Sequence, residues 1–87
     1  MDYELNYTEE ARRMMDDRMI LTSDVIAVMD EVRETGEYIL DEETGLFIAR
    51  SRVGNATFWV KFTQEGPDSY TVHRAYSHRM KIVRRQG

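Results

Sequence analysis

From Thr57 to Thr63 the chain alternates, with Phe58, Val60 and Phe62 on one parity and Thr57, Trp59 and Lys61 on the other. A period of two is what a strand produces when one of its faces is buried. The pattern therefore predicts a strand whose core face carries Phe58, Val60 and Phe62. Gln64 to Ser69 follows, and its Gly66-Pro67-Asp68 supplies turn chemistry: glycine frees φ, proline fixes it, and aspartate can bond its own backbone. Tyr70 to Tyr76 is again rich in β-branched and aromatic residues, so a return strand is predicted to pair back on the first.

Upstream the period becomes helical. Thr8 is the predicted N-cap of a helix from about Glu9 to Ile20, with Glu9 and Glu10 at the positive end of its dipole. Ala11, Met14, Met15, Arg18 and Met19 fall at helical intervals and predict a stripe toward the core. Leu21-Thr22-Ser23-Asp24 breaks that helix and starts another, with Thr22 as N-cap and Leu21 and Ile26 placed as a hydrophobic staple. Val25, Val28, Met29 and Val32 give its buried stripe, and Gly36 marks a left-handed C-cap just after Thr35.

Tyr38-Ile39-Leu40 is a brief β-prone run, Asp41 to Gly45 a turn, and Leu46 to Val53 a further strand. Its two parities are both mixed, so its inward face stays open between Phe47, Ala49, Ser51, Val53 and Leu46, Ile48, Arg50, Arg52. Gly54-Asn55 turns tightly into the strand at Thr57. Met1 to Tyr7 fits either an edge strand or a frayed terminus, and Met80 to Arg85 either extends the last strand or trails from it. The fold class these elements predict is α+β: one domain, residues 1–87, with two N-terminal helices packed on a three- to four-stranded antiparallel β-meander.

Composition narrows the class. At 87 residues there is room for one core, and 41% hydrophobic content is too apolar for a disordered chain despite 32% charge. The chain is expected to fold alone or as a homodimer. It has no cysteine, which excludes disulfides, thiolate metal sites and thiol catalysis and fits a cytoplasmic setting. No apolar run approaches the roughly 20 residues that cross a bilayer, so no membrane role is expected. Through Glu43 there are 14 acidic and four basic residues; from Thr44 onward there are two acidic and eight basic. An acidic helical layer over a basic sheet is the plain structural reading of that asymmetry, and a basic face for an anionic partner is the functional one.

His73, Arg74, Tyr76, His78 and Arg79 are the one cluster whose side-chain types suit phosphodiester chemistry, through a titratable imidazole, charge stabilisation and a phenol. On a regular strand His73 and Ala75 would share one face, and Arg74, Tyr76 and His78 the other. Ordinary sheet residues with packed bodies and wet tips account for the same pattern. No catalytic residue is assigned. The two histidines, five apart, would lie on opposite faces without a third ligand, so no metal is expected. The five glycines are dispersed rather than gathered in a phosphate loop, and no cofactor is expected. Trp59 lies opposite Phe58. With the helices on the Phe58 side, Trp59, Lys61, Arg74, Tyr76, His78 and Arg79 make the candidate binding surface, suited to a protein partner or to stacked bases.

Glu34-Thr35-Gly36-Glu37, Asp41-Glu42-Glu43-Thr44-Gly45-Leu46-Phe47-Ile48-Ala49, Thr57-Phe58-Trp59-Val60 and Ala75-Tyr76-Ser77-His78-Arg79-Met80 occur in that order. Over roughly Leu21 to Met80 the chain thereby resembles a small domain associated with pyridine nucleotide-disulfide oxidoreductase family flavoproteins of anaerobic microbes. The resemblance implies an accessory or docking role beside such a flavoprotein. It implies no redox activity of the chain's own, which lacks a dinucleotide fingerprint and a redox cysteine pair. With Met1 to Tyr7 as a strand, the element order is also similar to that of RelE-like ribonuclease toxins. That likeness implies an alternative, RNA binding or cleavage on a sheet bearing Arg50, Arg52, Lys61, Arg74, His78 and Arg79.

Overall fold

Thr8 stands in an extended conformation (φ −71°, ψ 162°), and its hydroxyl accepts a hydrogen bond from the Ala11 N–H at 3.0 Å, so the cap predicted from sequence opens α1 (Glu9–Arg18). The structure, a computed structural model, describes residues 2–79. α1 stops two residues short of the predicted end because Met19 turns left-handed at φ 55°, its N–H reaching the Asp16 carbonyl at 3.3 Å. Ala11, Met15 and, beyond the cap, Ile20 are buried. Arg18 and Met19, expected on the core stripe, are exposed.

α2 (Thr22–Thr35) begins one residue earlier than expected. Leu21 is its N-cap, and the Leu21 N–H donates to the Asp24 carboxylate at 2.9 Å. Leu21 is itself 64% exposed, so it does not pack as the staple the sequence suggested. Val25, Val28, Met29 and Val32 form the buried stripe as predicted, and Gly36 closes the helix at φ 72° with its N–H on the Val32 carbonyl at 2.7 Å.

Five strands make one sheet: β1 (Glu4–Tyr7), β2 (Ile39–Asp41), β3 (Leu46–Val53), β4 (Ala56–Gly66) and β5 (Ser69–Arg79), ordered β1-β5-β4-β3-β2. The α+β class stands, but the sheet has more strands than the predicted three to four, and it is mixed rather than antiparallel. β1 pairs parallel to β5, with Leu5 beside Tyr70 and Tyr7 beside Val72. Nothing local in the sequence announces a partner strand that begins more than sixty residues later. Residues 80–85, expected to extend β5 or trail from it, lie outside the described residues.

α1 packs on β5, and α2 on β3 and β4. Beneath them Ala49, Val60, Phe62, Tyr70, Val72 and Ala75 are buried, and Phe58 is half-buried against the same cluster. The hairpin at Gly54-Asn55 sets Val53 opposite Ala56, and hence Ser51 opposite Phe58 and Ala49 opposite Val60. That register puts the odd residues of β3 under the helices and turns Ile48, Arg50 and Arg52 away from them.

β5 is not regular. Arg74 lies opposite Lys61 while Val72 lies opposite Phe62, so His73 is the extra residue of a bulge. Val72 and Ala75 consequently both face the core. His73 shares the open face with Arg74, correcting the expectation that His73 and Ala75 would point together.

Candidate functional site

The register aligns three residues in a row across β3, β4 and β5: Arg50, Trp59 and Tyr76. All three point away from the helices. The Trp59 and Tyr76 rings stack with centroids 6.1 Å apart and planes 11° from parallel, and the Arg50 guanidinium lies 5.4 Å from the centre of the Trp59 ring. On one side of this row lie Ile48, Lys61 and Arg74; on the other lie Arg52, Thr57 and His78. Ile39 of β2, beside Ile48 and largely exposed, continues the apolar part of the face.

Of the residues expected to form a surface, Trp59, Lys61, Arg74, Tyr76 and His78 are brought together. Arg79 is the last residue of β5, opposite Ala56, and its backbone position has the parity of Ser77 and Phe58 rather than that of Tyr76 and His78. Two of the cations are already partnered. Lys61 Nζ is 3.7 Å from Asp41, with both side chains largely buried, and Arg74 is 3.5 Å from Glu10 in a much more exposed pair. Burial acts to raise the Asp41 carboxyl, but the Glu43 N–H, the Thr44 hydroxyl and N–H, and Lys61 together hold it below its usual range. Arg52 turns its Nε–H onto the Gly54 carbonyl at 3.3 Å.

The bulge has its own hydrogen-bond chain. The Thr63 hydroxyl donates to Glu65 at 2.7 Å and lies 2.9 Å from His73 Nε2. With the hydroxyl proton committed to Glu65, the imidazole donates into Thr63 and is not placed to take its proton. The arrangement pins the bulge rather than activating a nucleophile. His73 and His78 share one face, contrary to the premise from a regular strand. Even so, no group of three His, Asp or Glu side chains gathers as a metal would require among the described residues.

Ile48 and Arg50 belong to the face; Ile48 was not foreseen there, and Arg50 was expected on the sheet surface only under the RNA alternative. The two-residue turn at Gly54-Asn55 held the information: it fixes which residue of β3 faces Trp59 as soon as Phe58 is placed inward. His73 had no such signal, since bulges follow no short-range motif. Comparison with protein-family models, with curated proteins and with solved structures found no match for the chain, so the face is interpreted from its own chemistry.

Proposed function

We propose that the chain is a non-catalytic docking domain that binds another protein through the open face of its sheet. The stacked Trp59–Tyr76 pair with Arg50 beside it carries this reading, because it sits at the centre of a face the helices leave uncovered. Tryptophan, tyrosine and arginine are the residues on which interface binding energy concentrates. Ile48 and Ile39 extend the apolar centre, and Arg52, Lys61, Arg74 and His78 form a polar rim. The partner class follows from the resemblance to the oxidoreductase-associated domain: a cytoplasmic flavoprotein, to which this chain would add surface rather than chemistry.

RNA is the second reading. One observation favours it: β1 precedes two helices and a meander, the element order of RelE-like toxins. Fold order alone carries no function. The electrostatics favour a protein instead, since Lys61 and Arg74 already face carboxylates and the chain carries a net charge of −4.

The test immobilises the wild type and a Trp59→Ala/Tyr76→Ala variant, each shown by circular dichroism to be folded, and recovers partners from native extract at low and high salt. The docking reading requires a protein that the wild type retains at both salts and the variant loses. A variant that recovers the same proteins overturns it. Nucleic acid retained only at low salt would transfer the face to the RNA reading.

A further inference from the structure

β2 covers only part of the outer edge of β3. Its ladder ends at Ile39 opposite Ile48, and the sheet order places no other strand on that side, so Ala49 to Val53 have no strand beyond them among the described residues. Among the described residues no backbone hydrogen bond outside the β-ladders engages these five residues either. Unpaired N–H and C=O groups along roughly 17 Å of strand are a template for another chain.

Space lies beside that template. A cleft of about 620 Å³ separates the α2–β2 connection from β3 and is lined by Glu31, Glu37, Tyr38, Ala49 and Arg50 among others. A second, of about 260 Å³, adjoins it at Glu31 and Arg50 and runs on past Ser51 and Arg52 to Thr57. The charges along this groove are of both signs. Arg50 and Arg52 belong to the open face, Glu31 stands on α2 on the helix side, and Glu37 lies in the connection.

We propose that the free edge of β3 takes an extended segment of the partner protein as an added strand in line with β2. A strand sends alternate side chains to opposite faces. The segment that fits therefore carries carboxylates at every second position, toward Arg50 and Arg52, and lysine or arginine between them, toward Glu31 on the helix side. Main-chain pairing supplies the affinity and the two-sided charge pattern the selectivity. The proposal rests on the docking reading only in taking the segment from the same partner.

The probe is a blocked peptide of alternating glutamate and lysine long enough to span the edge. Its controls are an isomer with all glutamates before all lysines, and the alternating peptide N-methylated at every second residue. Amide hydrogen exchange of the whole chain is followed residue by residue. The alternating peptide, at millimolar concentration, slows exchange within Ala49 to Val53 roughly tenfold, and both controls leave it unchanged. Exchange that the alternating peptide does not alter, or that the block isomer slows equally, overturns the proposal. The Trp59→Ala/Tyr76→Ala variant keeps the protection. A variant that still recovers the wild type's partners while the edge is protected counts against the face alone, and a variant that loses them while the edge stays unprotected counts against the edge alone.

Discussion

Tyr3 joins the first strand to the second helix through several contacts at once. Its hydroxyl donates to Asp30 at 2.7 Å, its ring meets Tyr70 edge-on at 5.8 Å, and the Arg33 guanidinium lies 4.9 Å above it while bonding Asp68 at 2.9 Å. Burial pushes the phenol above its ordinary value and the bond to Asp30 pushes it further; Tyr7 is raised as well, again by burial. A phenol that stays neutral in the fold but ionises near pH 10 once unfolded gives the folded state the greater proton affinity. Its contribution is complete below about pH 10 and is lost as pH rises beyond it. Urea midpoints of the wild type should therefore fall more steeply above about pH 10 than those of Tyr3→Phe. Parallel slopes would refute the assignment. At neutral pH the same substitution should cost about 1 kcal/mol, the worth of one hydrogen bond. Met19 predicts the opposite sign. It is 87% exposed and left-handed at φ 55°, so Met19→Gly removes backbone strain and gives up almost no packing. Thermal unfolding should show a gain of about 0.5 kcal/mol after the added flexibility of glycine is offset.

At the scale of elements, α1 is anchored at one end by a single hydroxyl. Thr8 Oγ1 accepts from Ala11 N–H at 3.0 Å and lies 3.3 Å from the His73 carbonyl, to which it donates, so the cap also ties the helix to the bulge of β5. Thr8→Ala should cost about 1–2 kcal/mol in chemical denaturation, and Thr8→Ser should restore most of it. That cap was legible because its residue type and the acidic first turn are local features, as were Gly36 and the alternation of Phe58, Val60 and Phe62. The features that escaped are those settled by distant partners. β1 is the edge strand that the sequence left open against a frayed terminus, but its parallel pairing to β5 is contained in no window of sequence. The left-handed turn at Met19 has no glycine to mark it, because burial of Ile20 just beyond holds the chain there. His73 left the expected parity through a bulge that Thr63 and Glu65 stabilise from the neighbouring strand. The candidate face was readable where it followed the alternation of β4, at Trp59 and Lys61. On β3, where Arg50 lies, it required the turn to be used as a register.

Across the whole molecule the sheet separates two kinds of residue with different costs of removal. Phe62 is 1% exposed and sits among Phe47, Tyr38 and Tyr70 at centroid distances of 5.7 to 6.0 Å. Truncating it to alanine opens a cavity and should cost about 3–5 kcal/mol, much of the roughly 5–15 kcal/mol a small domain possesses. Trp59, three positions earlier and on the opposite parity, is only half-buried and rests on Tyr76 and Arg50 rather than under a helix. Its truncation loses a stacking contact worth about 0.5–1.5 kcal/mol and leaves no void in the core. Guanidinium denaturation of the two single variants should thus separate them by at least about 1.5 kcal/mol, with Phe62→Ala the weaker fold. If Trp59→Ala proves as destabilising as Phe62→Ala, the tryptophan is part of the structural core. The stacked row across β3, β4 and β5 would then be explained by folding, with no need of a partner. If the separation holds, folding gains little from placing the chain's one tryptophan beside a tyrosine and an arginine on an uncovered surface, and binding remains as the reason they stand together.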